Sequence, residues 1–249
     1  MVGKEQALLN YLLALPKLES IRGNAPKLLK VIDEYVEKHH YMNVGPLKGE
    51  VIINEIRKVK PKTMIELGGY FGYSAVLFAN ELPPDDNTAK YYSFELNPEF
   101  ANIARQVVDI AGLSDKVEII VGPAAKSLVE FESKLSSGKG YKSVDFVFID
   151  HWKDKYVPDL RVLESLNLLA PGTLIAADNI YTPGVPEYVK YVQGSPEDRK
   201  EFNYKVPNDS GKEFLGRWNI LYDSKTVPVQ EANRLDAVEI TKVVEYLNG

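Results

Sequence analysis

Cysteine is absent from this chain, which removes disulfides, thiol nucleophiles and thiolate metal sites together. Positive charge is also short: 30 Lys and Arg against 35 Asp and Glu give a net charge of -5. A protein held on nucleic acid needs clustered basic residues to neutralise phosphates, and only Lys58, Lys60 and Lys62 cluster, beside Pro61 in what reads as a solvated loop. No nucleic-acid partner is expected. Long apolar runs are missing as well. The leucine-rich start, Met1 to Leu15, is interrupted by Glu5, Gln6 and Asn10 and lacks a cleavage pattern, so it predicts a short amphipathic helix and neither a signal peptide nor a membrane span. The expected setting is cytoplasmic, and the Asn208-Asp209-Ser210 sequon then reads as a chance match.

What is present is ordinary for a globular α/β protein: 45% apolar and 26% charged residues over 249 positions. One domain is expected, with residues 1–60 a helical extension and 61–249 an α/β core. Helical spacing appears at Leu8 to Leu15, Asn24 to His40 and Gly49 to Lys58. Strand and helix patterns then alternate. Predicted strands are 62–67, 90–96, 117–121, 144–149 and 172–177, and predicted helices are 73–82, 98–111, 123–131 and 156–169. Ser136 to Gly140 reads as a loop. Beyond that, 188–191 predicts helix, 201–206 and 218–222 strands, and 236–247 a closing helix. The alternation implies a mainly parallel sheet with helices on both faces.

Polar groups gather where strands end, the edge at which open α/β sheets bind ligands. Gly68, Gly69 and Gly72 follow a strand and open a helix, so the backbone can approach a ligand closely or simply pack. Tyr70 and Tyr73 break the dinucleotide glycine fingerprint, which disfavours an NAD-dependent dehydrogenase. Glu95 ends the next strand and could accept two hydrogen bonds from a ribose diol, or serve only as a helix-start charge. Asp150, Asp178 and Asn179 offer three oxygens suited to a hard cation such as Mg²⁺; an Asx turn is the alternative for the last pair. Lys153 follows Asp150 closely enough to act as a base, unless solvated. Trp152, one of two tryptophans, supplies an aromatic wall or ordinary packing.

Taken in order, Met42-Asn43-Val44-Gly45, Glu66 to Ser74, Glu95-Leu96-Asn97-Pro98, Asp150-His151-Trp152-Lys153 and Asp178-Asn179 together resemble catechol O-methyltransferase, a class I S-adenosylmethionine (SAM)-dependent family. The resemblance runs from about residue 30 to about 195. It implies a Rossmann-like seven-stranded sheet and Mg²⁺-dependent methyl transfer to one hydroxyl of a small aromatic diol. It also implies roles. Glu95 grips the ribose; Glu66, Gly68, Tyr73, Ser74 and Val44 belong to the cofactor site, chiefly its methionine end; Met42 and Tyr70 lie near the sulfonium. Leu96 and His151 flank the adenine with Trp152 at its edge, and Asp150 also belongs to the cofactor site. Asp150, Asp178 and Asn179 hold the metal, Lys153 is the base, and Asp150, Lys153, Asn179, Trp152, Pro183 and His40 form the substrate pocket.

The sequence also departs from that family. Ala124-Ala125 replaces a Ser-Gln pair of mammalian members, and His40 stands where they place a tryptophan. Their C-terminal substrate-contacting Glu has no clean counterpart; Glu213 or nothing fills the role. Another vicinal-diol aromatic as substrate, or a non-catalytic SAM-binding protein, are the competing readings. The chain is expected to be a monomer or homodimer.

Overall fold

The computed structural model describes residues 3–137, 143–232 and 234–248, which form two compact units, 1–122 and 123–249. The first begins with helices α1 (Lys4–Leu13), α2 (Ala25–Val36) and α3 (Gly45–Val59). Asn24 caps α2 by accepting from the Lys27 N–H at 3.0 Å, and Leu28, Leu29 and Ile32 are buried on one face. α3 starts four residues before the expected Gly49, because Pro46 suits a first helical turn. Strands β1 (Thr63–Leu67), β2 (Lys90–Glu95) and β3 (Val117–Val121) follow, with α4 (Tyr73–Ala79) and α5 (Pro98–Ile110) between them. β2 pairs in parallel with both β1 and β3.

The start of α5 is as the sequence predicts, with Asn97 Oδ1 accepting from the Glu99 N–H at 2.8 Å and Pro98 in the first turn. Its end is fixed by a backbone approach. Gly23 N donates to Ile110 O at 2.9 Å, and a Cβ on Gly112, whose φ is +72°, would stand 2.7 Å from Gly23 Cα. Neither backbone can yield cheaply. Gly112→Ala is therefore expected to cost roughly 1–3 kcal/mol, measured as a lower urea midpoint with an unchanged m-value; an unchanged midpoint would contradict the close approach.

The second unit contains α6 (Ala124–Ser137), β4 (Val144–Ile149), α7 (Tyr156–Ser165), β5 (Leu169–Ala177), α8 (Pro186–Gln193), α9 (Pro196–Lys205), β6 (Ile220–Glu231) and β7 (Arg234–Tyr246). β4 and β5 are parallel, β7 runs antiparallel to β5, and β6 pairs antiparallel with β7. The seven strands make the mainly parallel α/β fold that the sequence predicts. β4 carries no alternation because nearly all of it is buried, as in a central parallel strand.

Three predicted elements are corrected. Ser136 and Ser137 belong to α6, while 138–140 of the expected loop lie outside the described residues. The expected strand at 201–206 is helix α9, started by a capping box in which Ser195 and Asp198 exchange hydrogen bonds. The expected closing helix at 236–247 is β7. Ala237 to Thr241 and Val243 are all buried, so both faces are covered and the apolar spacing loses its period of two; the run of β-branched residues was the better signal. The expected strand at 218–222 begins at Ile220 and extends to Glu231. Pro228 is accommodated there as on an edge strand.

Buried charge ties the segment between α8 and β6 to α7. Glu164, fully buried, accepts from the Tyr191 and Tyr222 hydroxyls at 2.8 Å each and from Arg217 N at 2.9 Å. Arg161 Nη1 donates to Val206 O at 2.9 Å. Asn208 is buried and its amide donates to Pro158 O and Phe214 O, so the sequon asparagine has a structural task.

Candidate active site

In the first unit, β1 delivers its chain into a turn that only small or strained residues can follow. Gly68 and Gly72 have φ of 101° and 90°, and Tyr70 adopts a left-handed φ of 46°. A Cβ on Gly69 would fall 2.2 Å from Ser93 Oγ. The turn is held by Glu95, at the end of β2: its Oε2 accepts from Tyr70 N and its Oε1 from Asn97 N, both at 2.7 Å. The side chain is nearly buried, and burial raises its pKa against those backbone hydrogen bonds. Carboxylate oxygens have about four lone-pair sites, so acceptor capacity remains for a ligand.

Beneath the turn lies Glu66, fully buried, whose Oε2 accepts from the Tyr91 hydroxyl at 2.7 Å while Oε1 has no hydrogen-bond partner within bonding distance. Burial pushes its pKa up to about 7, opposed by the neighbouring Ser93, Ser74 and Tyr91 hydroxyls. Ser74 and Val44 are buried in the same unit, Val44 immediately before α3. The Tyr70 hydroxyl donates to Glu5 Oε1 on α1, and its ring meets Phe71 and Phe100 edge-on. The Tyr73 hydroxyl is directed instead to Asp33 Oδ1 on α2, at 2.7 Å. His40 is exposed, with its carbonyl accepting from Lys4 Nζ.

In the second unit, β4 and β5 bring their carboxyl ends together as parallel neighbours. Lys153 Nζ donates to Asp150 Oδ1 at 3.0 Å, to Asn179 Oδ1 at 2.7 Å and to the Tyr156 hydroxyl at 2.8 Å. One ammonium thus joins two of the three expected metal ligands. Asp178, almost fully buried, follows β5, and its carbonyl accepts from the Tyr156 hydroxyl at 3.2 Å. Burial first, then the Asp150 and Asp178 charges, push the Tyr156 pKa well up, so it stays a neutral donor. Among the described residues no three Asp, Glu, His or Cys side chains are grouped to hold a metal; a third protein oxygen here has to come from the Asn179 amide.

His151 Nε2 pairs with Asp159 Oδ2 at 2.8 Å, and its ring stacks on Tyr156 with centroids 5.4 Å apart. Pro183 is exposed in the turn after Asn179, and Glu213 is exposed on the loop between α9 and β6. Tyr156, Asp159 and Asp236 escaped the sequence reading. Tyr156 and Asp159 lie one helical turn and two beyond Lys153, a spacing that could have nominated them; Asp236 carried no local signal. Met42, Leu96 and Trp152 are 68%, 55% and 72% exposed. Apolar surface of that extent at residues expected to touch a cofactor is what a bound ligand would cover.

The architecture is that of class I methyltransferases. Solved structures similar to it include an O-methyltransferase from Bacillus cereus in complex with SAH, with TM-score 0.64 and 19% identity over 96% of each chain. Another is the Streptomyces achromogenes O-methyltransferase TomG, with TM-score 0.60 and 20% identity over 98% of this chain and 100% of that one. At such identities the likeness establishes the fold. The O-methyltransferase family pattern matches residues 20–211. Mouse catechol O-methyltransferase is 40% identical over 193 residues, 77% of this chain and 69% of that one. A probable O-methyltransferase of Mycobacterium tuberculosis is 34% identical over 77% of this chain and 79% of its own. The chain belongs to this family and is a SAM-dependent O-methyltransferase. Among the described residues no helix is long and apolar enough to cross a membrane.

Proposed function

We propose that the chain is a Mg²⁺-dependent catechol O-methyltransferase, acting in the cytoplasm on small vicinal-diol aromatics. The observation that carries this reading is the junction of Asp150, Lys153 and Asn179 through one ammonium, beside the buried Asp178. The donor set fits a hard cation: two carboxylates and an amide oxygen, without sulfur or imidazole. Asp150, Asp178 and Asn179 would hold Mg²⁺, which when bound supplies charge that favours the ionised form of a diol hydroxyl.

The remaining steps fall to the chain's own groups. Lys153 is the general base: in its neutral form the amine takes the proton from the hydroxyl that is methylated, becoming the ammonium, and Asp150 and Tyr156 keep Nζ in place for that transfer. Glu95 accepts from the ribose hydroxyls. The turn around Gly68, with Ser74 and Val44, holds the methionine portion, and Tyr70 with Met42 flanks the sulfonium. Glu66, with an unpaired buried Oε1, takes part in recognising the methionine ammonium. His151, Leu96 and Trp152 contact the adenine, and Trp152, Pro183 and His40 shape the acceptor's surroundings. Catalysis then consists mostly of positioning and electrostatics.

Glu66 makes this reading sensitive to pH. Its pKa of about 7 lies above that of an unfolded Glu, so the native state holds an extra proton between about pH 4.5 and 7; stability from this group is fully present at the low end and falls as pH rises through 7. A cofactor ammonium needs the ionised form. SAM affinity is therefore expected to rise about tenfold from pH 6 to pH 8, and in Glu66→Gln it should be flat. Titration calorimetry checks both; a flat wild-type profile would remove Glu66 from the ammonium site.

The substrate class is tested by comparing catechol with phenol as methyl acceptors, with products identified by mass spectrometry. A chelated diol predicts a monomethylated catechol and no anisole. Equal turnover of phenol would defeat the chelation.

A further inference from the structure

The cation reading requires the Asn179 amide to present oxygen. An amide has two ends of nearly equal size and opposite chemistry, and its Nδ2 turned to a cation would repel it. We propose that Asp236, on β7, is the positioning residue that selects the correct end. This inference rests on the metal-binding role of Asn179 proposed above.

Asp236 is fully buried. Its Oδ2 accepts from Asn179 Nδ2 at 3.4 Å, and its Oδ1 accepts from the Tyr181 and Thr182 N–H groups, both at 3.2 Å, and from Ala237 N at 2.8 Å. The Arg234 guanidinium stands 3.8 Å from Oδ2. A carboxylate can only accept, so it demands a donor from Asn179. Nδ2 meets that demand, and Oδ1 must then point the opposite way, where Lys153 Nζ donates to it at 2.7 Å. The same carboxylate secures the backbone of the turn through two N–H groups. This matters because Asn179 itself sits in the left-handed region, with φ 60° and ψ 38°, from which a loosened turn would relax. Since no third acid, His or Cys joins the cluster among the described residues, the orientation of this amide decides whether the site has three protein oxygens or two.

Asp236→Asn tests this with almost no change in volume. The new amide can keep its oxygen for Tyr181 and Thr182 and then sets a donor against Asn179 Nδ2, or it turns round and abandons those N–H groups. Mn²⁺ is the probe, with free ion read by electron paramagnetic resonance. Asp236→Asn is expected to weaken Mn²⁺ binding about 10–100-fold, the range of lost outer-shell partners, and to leave SAM affinity within about twofold. The exchanged pair Asp236→Asn with Asn179→Asp rebuilds one donor and one acceptor and should restore Mn²⁺ binding to within a few-fold of wild type. Wild-type Mn²⁺ affinity in the single variant would overturn the proposal, as would a folded exchanged pair no better than the single one. If Asp236→Asn does not fold, the exchanged pair alone decides: folding with Mn²⁺ bound supports the proposal, and folding without it contradicts it. Failure of the wild-type protein to bind Mn²⁺ would instead refute the metal reading, and this inference with it.

Discussion

Lys153→Met is expected to lower kcat about 10²–10⁴-fold, the usual contribution of a positioned general base, with SAM affinity unchanged within about twofold. Methionine matches the length of the lysine stem and removes only the amine. The three acceptors that converge on Nζ, Asp150, Asn179 and Tyr156, are then left without their shared donor. Lys153→Arg separates proton transfer from charge. A guanidinium keeps the positive charge but cannot surrender its proton at working pH, so this variant should be as slow as Lys153→Met. Substantial turnover by Lys153→Arg, in steady-state assays at saturating substrate, would show that the residue acts through its charge alone.

Glu95→Gln is expected to weaken SAM binding about 10–150-fold, because hydrogen bonds to a charged acceptor contribute about 1.5–3 kcal/mol and the amide loses one acceptor atom. The loss has a second origin in the turn. Tyr70 N and Asn97 N each donate to a different oxygen of Glu95 at 2.7 Å. A glutamine presents oxygen to one of these N–H groups and nitrogen to the other, so part of the Gly68–Gly72 turn loses its anchor. Tyr70, held at φ 46°, is the residue most exposed to that loss. Calorimetric titration with SAM measures the effect, and Mn²⁺ binding at Asp150, Asp178 and Asn179 serves as the internal control. A Glu95→Gln protein that binds SAM like wild type would contradict the ribose assignment.

The positions most readable from sequence are those whose chemistry is local. Asn97, Pro98 and Glu99 announce a helix start within three residues, and the structure has that cap. The apolar run of β4 followed by Asp150 and Lys153 likewise announced a strand edge carrying polar groups. The misread elements depended on distant partners. β7 is buried on both faces, so its apolar residues fell at a spacing that also fits a helix, and only its pairing with β5 and β6 settles the matter. Asp236 reaches Asn179 across 57 positions of sequence, and nothing near residue 236 signals that contact. Helix α9 is a different case: its capping box, Ser195 with Asp198, is local, and the strand expectation at 201–206 leaves that signal out.

On the proposed mechanism Asp150, Asp178 and Asn179 would hold a cation whose charge favours the ionised diol hydroxyl, with Lys153 as base. Methyl transfer from SAM to catechol, measured with Mg²⁺ and again with excess chelator, tests it most directly. The expected result is a monomethylated product that disappears on chelation, returns when Mg²⁺ is restored, and is accompanied by unchanged SAM binding throughout. Equal turnover in the presence of chelator would contradict it.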